Sequence, residues 1–275
     1  MRIYISADLE GVAGVISPAQ LYSGPAYEEA CARMTLEVAA AVRGAQNAGA
    51  ADIVINDAHE SMTNLRLEML PAGVRVITGK PKPLGMMCAI DGSWDMAFFI
   101  GYHSRQGSSG ILSHSYSARL IEQIFLNGVE VGELAFNAAL AGYFGVPVAL
   151  VTGDEDLAKE ASAQLVGTRF ISVKRALSRQ AADTMLPSEA QKAIEAAAFT
   201  VVKDWQKGSG EVQTWCPESP YRLLVEFHSP VMADMVAFMP EVQRKRANQV
   251  ELVREDLPDL FRAFQAMLVL AGAMA

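Results

Sequence analysis

The sequence predicts an α/β protein: a mostly parallel sheet with helices on both faces, plus a smaller C-terminal α+β unit. Three observations carry this expectation. Near-continuous apolar runs of strand length recur at Arg2 to Ala7, Asp52 to Asp57 and Met96 to Gly101. A strand apolar on both faces needs cover on both faces, which crossover helices supply to a parallel sheet. From about Ala176 the texture changes to an alanine-rich helix followed by short, more polar elements, which marks a second unit.

The elements follow in order. After the first strand, Tyr27, Ala30, Met34, Val38, Ala41 and Ala45 recur at three and four, with Pro25 at a first-turn position and Gly49 as the stop, so a crossover helix is expected. Asp52 to Asp57 is a buried strand. A short helix over Leu65 to Leu70 leads to a strand over Val74 to Thr78, and Pro83 to Ala89 forms a helical turn. Met96 to Gly101 is the next strand, and the serine- and glycine-rich stretch Ser104 to Gly110 reads as a loop. Ile121 to Leu126 and Val129 to Gly132 flank Asn127-Gly128, a strong hairpin signal. Glu133 opens a helix to Tyr143 or Phe144, Pro147 to Thr152 is a buried strand, Gly153-Asp154 starts a helix, and Phe170 to Lys174 is read as an edge strand. The second unit is read as a helix (Ser188 to Val201), a linker (Lys203 to Glu211), a strand (Arg222 to Phe227), a helix (Val231 to Met239), a strand (Gln249 to Val253) and a closing helix (Leu257 to Met274).

Composition narrows the function classes. A net charge of −8, with Arg244-Lys245-Arg246 as the only basic block, excludes nucleic acid as a principal partner, since that binding depends on neutralising phosphates. The triplet reads as a solvated face. Cys31, Cys88 and Cys216 form no C-x-x-C pair and no even framework, so a reducing, cytoplasmic setting is expected. No apolar run approaches the roughly 20 residues of a membrane span, and the charged first strand is unlike a signal peptide.

The chemistry is carried by acids and imidazoles at strand ends. Asp8 and Glu10, spaced i, i+2 at the end of the first strand, point the same way if the segment stays extended. Two like charges aimed at one place repel unless a cation sits between them, so they form either a solvated strand end or half of a metal site. Of only four histidines, His59 and His103 directly follow strands at the same sheet edge, where parallel sheets form their binding crevice. Carboxylate plus imidazole is a donor set that zinc, manganese or cobalt accepts. The set can hold one ion or two. Glu133 joins it if the hairpin folds back over the edge; otherwise it is a favourable charge on a helix dipole. Asp57 is read as a strand-end aspartate or as a partner that orients an imidazole. His228 and Cys88 are read as structural.

These stretches carry a resemblance. The run Tyr4 to Gly14, with Asn56 to His59, Gly101 to His103, Ser113 to Ser115, Gly132 to Leu134 and the closing pattern near Phe264 to Val269, resembles the D-aminopeptidases of peptidase family M55, dipeptide-permease-operon type. The match runs in order through most of the chain. The resemblance implies a dinuclear zinc aminopeptidase that releases an amino-terminal D-residue, such as D-Ala, from short peptides with a free N-terminus. It also implies a homo-oligomer, possibly a decamer; composition, as above, leaves no membrane or nucleic-acid partner expected. By similarity Asp8 bridges two Zn²⁺ ions, Glu10 and His103 hold one, His59 and Glu133 hold the other, and His114 is the catalytic residue, as acid/base or as nucleophile. The catalytic α/β domain is then 1–175 and the smaller α+β domain 176–275.

Two other functions fit the same donor set. A dinuclear phosphoesterase uses similar ligands, but Arg105 is the only cation adjacent to the motifs, fewer than phosphate recognition usually employs. A non-catalytic, metal-containing ligand-binding protein would need neither an open coordination position nor His114.

Overall fold

A computed structural model of the chain describes residues 1–209 and 211–275. Its elements are β1 (Arg2–Ala7), α1 (Pro25–Asn47), β2 (Asp52–Asp57), β3 (Val74–Ile77), β4 (Met96–Ile100), β5 (Ile121–Leu126), β6 (Val129–Glu130), α2 (Glu133–Tyr143), β7 (Val148–Asp154), α3 (Glu155–Ala161) and β8 (Arg169–Ser178). There follow β9 (Ala181–Thr184), α4 (Pro187–Gln206), β10 (Tyr221–Phe227), α5 (Pro230–Val236), β11 (Gln243–Arg246), β12 (Gln249–Arg254) and α6 (Leu257–Gly272).

The main sheet has the order β3-β2-β1-β4-β7-β8-β9 and is parallel except for β9, which pairs antiparallel with β8. Ile3, Ile5, Phe98 and Leu150 bury one face of it against α1 and α4, while Tyr4, Phe99 and Val151 bury the other. That second face shares one core with α2, α6 and the second sheet, which has the order β11-β12-β10-β5-β6. Helices therefore cover both faces, as expected.

The chain runs β1, β2, β3 to one side and then returns to place β4 on the other side of β1. This reversal opens a crevice beyond the carboxyl ends of β1 and β4, the usual ligand position in such sheets. The two strand ends press together there. Gly11 donates its N–H to Gly101 O at 2.7 Å, and a Cβ at Gly11 would lie 1.9 Å from Tyr102 O. Gly101 has φ of 72°, and a Cβ on it would lie 2.2 Å from Asp8 O. Only glycine permits that approach.

Several expectations are corrected. Phe170 to Lys174 belongs to the longer β8, which is not an edge, because β9 covers it. β9 (Ala-Ala-Asp-Thr) and β11 (Gln-Arg-Lys-Arg) carry no apolar alternation, so nothing in their composition marks them as strands. The expected short helix at Leu65 to Leu70 is a single 3₁₀ turn, Leu67–Met69, while the helical turn expected within Pro83 to Ala89 is present as Gly85–Met87. The helix of the expected second unit continues to Gln206 into the stretch read as a linker, whose Gly210 lies outside the described residues. The boundary expected at 175/176 falls inside β8, and the second sheet takes β5 and β6 from its amino-terminal side. No helix among the described residues is long and apolar enough to cross a membrane.

Candidate metal centre

The crevice gathers all six side chains that the sequence singled out. β1 ends at Ala7 and residues 8–11 form a turn. The convergence of Asp8 and Glu10 therefore comes from that turn rather than from strand alternation. His59 lies just past β2, His103 just past β4, His114 on the loop before β5, and Glu133 on the first turn of α2. Asp8, Glu10, His59, His103 and Glu133 are all buried.

The distances describe one connected cluster. His59 Nδ1 lies 3.3 Å from Asp8 Oδ1 and 3.0 Å from Glu10 Oε2. His103 Nε2 lies 3.6 Å from Asp8 Oδ2 and 3.3 Å from Glu133 Oε1. His114 Nε2 lies 3.6 Å from the same Glu133 oxygen, and its ring stacks on His103 at 4.1 Å. Asp8 thus turns one oxygen toward each of two imidazoles, which is how a bridging carboxylate is disposed. Ligand atoms of Asp8, Glu10 and His103 lie within 4.8 Å of one another, as do those of His103, His114 and Glu133. The shortest contacts pair His59 with Glu10 and His103 with Glu133, across the ligand division that the family resemblance implies.

Backbone carbonyls set the outer side of every ring. His59 Nε2 faces Leu21 O at 2.8 Å, His103 Nδ1 faces Ser104 O at 3.0 Å, and His114 Nδ1 faces Leu112 O at 3.0 Å. A nitrogen facing a carbonyl has to donate, so each neutral ring turns a lone pair inward, the orientation that serves a metal. Asp8 Oδ2, Glu10 Oε2 and His103 Nε2 are buried without a hydrogen-bond partner. Buried polar atoms left unpaired are costly, and a cation among these three relieves all of them. The donor set fits zinc.

Charge argues the same way. Burial and the neighbouring Glu10 push Asp8 up to about 7. Burial alone would lower both His59 and His103, but the surrounding carboxylates reverse it: His59 lies well above its usual range, and His103 is pushed up to about 10. Burial likewise opposes ionisation of Glu10 and Glu133, yet the histidines hold both low. Three carboxylates in one pocket draw positive charge, and without an ion protons on the rings supply it. His114 differs. Its burial, reinforced by the stacked His103, lowers its affinity for a proton and favours the neutral ring.

The structure also shows residues that the sequence reading did not find. Lys174, buried in β8, donates from Nζ to the carbonyls of Glu10, Val12 and Val15 at 2.5, 2.9 and 2.6 Å. Buried Glu37 accepts the Ala13 N–H at 2.9 Å. Together they hold the turn that presents Glu10. Asp57 does not touch an imidazole. It accepts Asn64 N, Asn64 Nδ2 and Leu65 N at 2.5, 2.7 and 2.8 Å, and Asn64 Nδ2 in turn donates to His59 O at 2.7 Å. Arg105 pairs with Glu130 at 2.9 Å, and His228 pairs with Glu122 at 2.7 Å on the second sheet. The cluster lines a cavity of about 730 Å³ that Leu21, Met62, Tyr116, Arg119, Arg179 and Phe261 also help to form.

Comparison with known proteins identifies the family. A model of peptidase family M55, described as D-aminopeptidase, matches residues 1–266. The chain belongs to the M55 D-aminopeptidase family. It is 32% identical over 272 residues to a D-aminopeptidase of Bacillus subtilis (strain 168), covering 98% of this chain and 96% of that one. The solved structure of the Zn-dependent D-aminopeptidase DppA from Bacillus subtilis, described as a self-compartmentalizing protease, superposes with a TM-score of 0.94. That pair shares 30% sequence identity over 99% of this chain and 98% of DppA. The M55 fold and the cluster at its sheet edge thus stand together in this chain.

Proposed function

We propose that the chain is a zinc-dependent aminopeptidase that hydrolyses the amino-terminal residue, a D-residue such as D-Ala, from short peptides. The observation that carries this reading is the meeting of three buried carboxylates with buried His59 and His103 and half-buried His114 beside an open cavity, in a chain of the M55 family. Asp8, Glu10, His59, His103 and Glu133 would hold the zinc, two ions being the proposed count. By family likeness Glu10 and His103 would share one ion and His59 and Glu133 the other, whereas the shortest contacts here pair His59 with Glu10 and His103 with Glu133. Bound zinc would acidify a water and polarise the scissile carbonyl.

The chain's own groups do the rest. His114 is neutral and fixed by its Nδ1–H to Leu112 O, so Nε2 is free to take a proton from the attacking water and to pass it to the leaving amine. Tyr116 N–H donates to Glu133 Oε1 at 2.6 Å and keeps that carboxylate facing both His103 and His114. Leu112 and Tyr116 have φ of 53° and 57°. Such left-handed conformations are unusual in non-glycine residues and cluster at functional sites. The acids of the cluster give the substrate's free ammonium a place to bind, which accounts for cutting at amino termini. A homo-oligomer, as large as a decamer, is proposed from the likeness to a self-compartmentalizing relative, and exposed Phe238 and Val269 are apolar surface for such contacts.

Metal analysis with turnover tests the reading. Purified protein should carry about two zinc ions per chain, hydrolyse D-alanyl peptides ahead of their L-counterparts, and leave p-nitrophenyl phosphate intact. Phosphate-ester turnover, or metal-loaded protein inert toward all peptides, would overturn it.

A further inference from the structure

Resting on the aminopeptidase reading, the structure points to a residue that selects the far end of the substrate. The cavity has acids at its floor and three cations in its lining, Lys80, Arg119 and Arg179. Lys80 is neutralised by Glu60 at 3.2 Å. Among the described residues neither Arg119 nor Arg179 is paired with a carboxylate.

Of the two, Arg179 is fixed in place. It sits in the turn between β8 and β9, and its carbonyl accepts the Leu112 N–H at 3.0 Å. Its guanidinium donates from NH2 to Ser113 O at 2.9 Å. Both contacts fall on the two residues that precede His114, and Arg179 and His114 line the same cavity. Of its five N–H bonds, that one contact is made within the protein. The remaining donors form the planar fork that matches a carboxylate.

The position suits one group of a short peptide. With the scissile carbonyl at the metal cluster and the leaving amine at His114, the next carbonyl carbon of the chain lies within about one residue's span, ~3.8 Å. In a dipeptide that carbon is the terminal carboxylate. In a long peptide it is a neutral amide, for which a guanidinium gains far less.

We propose that Arg179 binds the C-terminal carboxylate of the peptide being cut and so makes the site selective for dipeptides. The test compares D-Ala-D-Ala with its C-terminal amide on zinc-loaded wild type, Arg179→Gln, Arg179→Lys and Arg119→Gln. Wild type should prefer the free acid. Arg179→Gln should raise KM for the acid about tenfold or more, as loss of a charge-assisted contact does, while leaving the amide within about twofold. Arg179→Lys should restore part of the preference, and Arg119→Gln should keep it. An equal loss on both substrates would assign Arg179 to holding the His114 loop and overturn the proposal. So would an unchanged preference in Arg179→Gln, or its transfer to Arg119→Gln. Wild type active on the two substrates without preference sinks this inference alone; wild type inert toward both sinks the aminopeptidase reading and the inference with it.

Discussion

Lys174 donates its ammonium to three carbonyls of the turn behind Glu10, and among the described residues no other side chain donates to Glu10 O, Val12 O or Val15 O. Replacing it by methionine keeps the volume but leaves the Glu10 and Val15 carbonyls unpaired, at roughly 1–3 kcal/mol each, while Val12 O keeps the Val15 N–H at 3.1 Å. Lys174→Met should therefore lower the melting temperature and weaken zinc binding in a direct titration; unchanged zinc affinity would detach the turn from the site. His114 lies outside the proposed ligand set, so His114→Ala should keep both zinc ions while kcat falls roughly 10²- to 10⁴-fold. Loss of metal in that variant would make it a ligand, and a trapped acyl-histidine in wild type would make it a nucleophile. Proton linkage gives a third expectation. In the metal-free protein His59 and His103 hold their protons at neutral pH, because their proton affinities are raised. Zinc has to displace those protons. Binding should release about two protons near pH 7 and weaken as pH falls, measurable by calorimetry in buffers of different ionisation enthalpy; proton-neutral binding would mean that the rings are not ligands. The sequence made Asp8, Glu10, His59 and His103 legible because each follows an apolar strand that ends at one sheet edge. Lys174, Glu37 and Arg179 were hidden, since their roles depend on which remote segment packs under or beside a loop, and local pattern carries no record of that.

At the scale of elements, the crevice exists because two strand ends come closer than side chains allow. Gly11 and Gly101 occupy that crossing, with Cβ positions 1.9 Å and 2.2 Å from backbone oxygens. Gly11→Ala forces the 8–11 turn away from β4 and separates Asp8 from His103. The expected result is a cooperative but less stable fold with impaired zinc uptake, read by melting with and without zinc. Wild-type zinc affinity in a folded variant would show that the close approach does not position the site. The parallel strands were readable from their apolar runs, and the β5–β6 turn from Asn127-Gly128. β9 and β11 were not, because their pairing with β8 and β12 is supplied by the neighbour's backbone rather than by their own alternation. The basic triplet Arg244-Lys245-Arg246 is the solvated face it reads as, and it lies on an edge strand, where charge discourages further pairing.

For the whole molecule, the sheets and helices tie together stretches that composition alone would separate. A cut after residue 175 would pass through β8, remove α4 from its packing on α1, and leave β5 without β10. Ile194, Ala198 and Val202 of α4 share one core with Val38, Ala41 and Ala45 of α1, and Phe261 and Phe264 of α6 pack on Phe136 of α2. Truncation would expose both cores at once. At about 25 cal/mol for each Å² of apolar surface, even a few hundred Å² newly exposed on each face is on the order of the 5–15 kcal/mol by which a typical domain is stable. A chain of residues 1–175 should therefore fail to fold, and the full chain should unfold in one transition in chelator, followed by circular dichroism and tryptophan fluorescence together. Two separated transitions, or a truncated chain that melts cooperatively, would restore the two-domain division. The site itself argues for a single transition: the loop that carries His114 is bonded through the Leu112 N–H to the backbone carbonyl of residue 179, beyond position 175, and Phe261 and Gln265 of α6 line the cavity that Asp8 opens into.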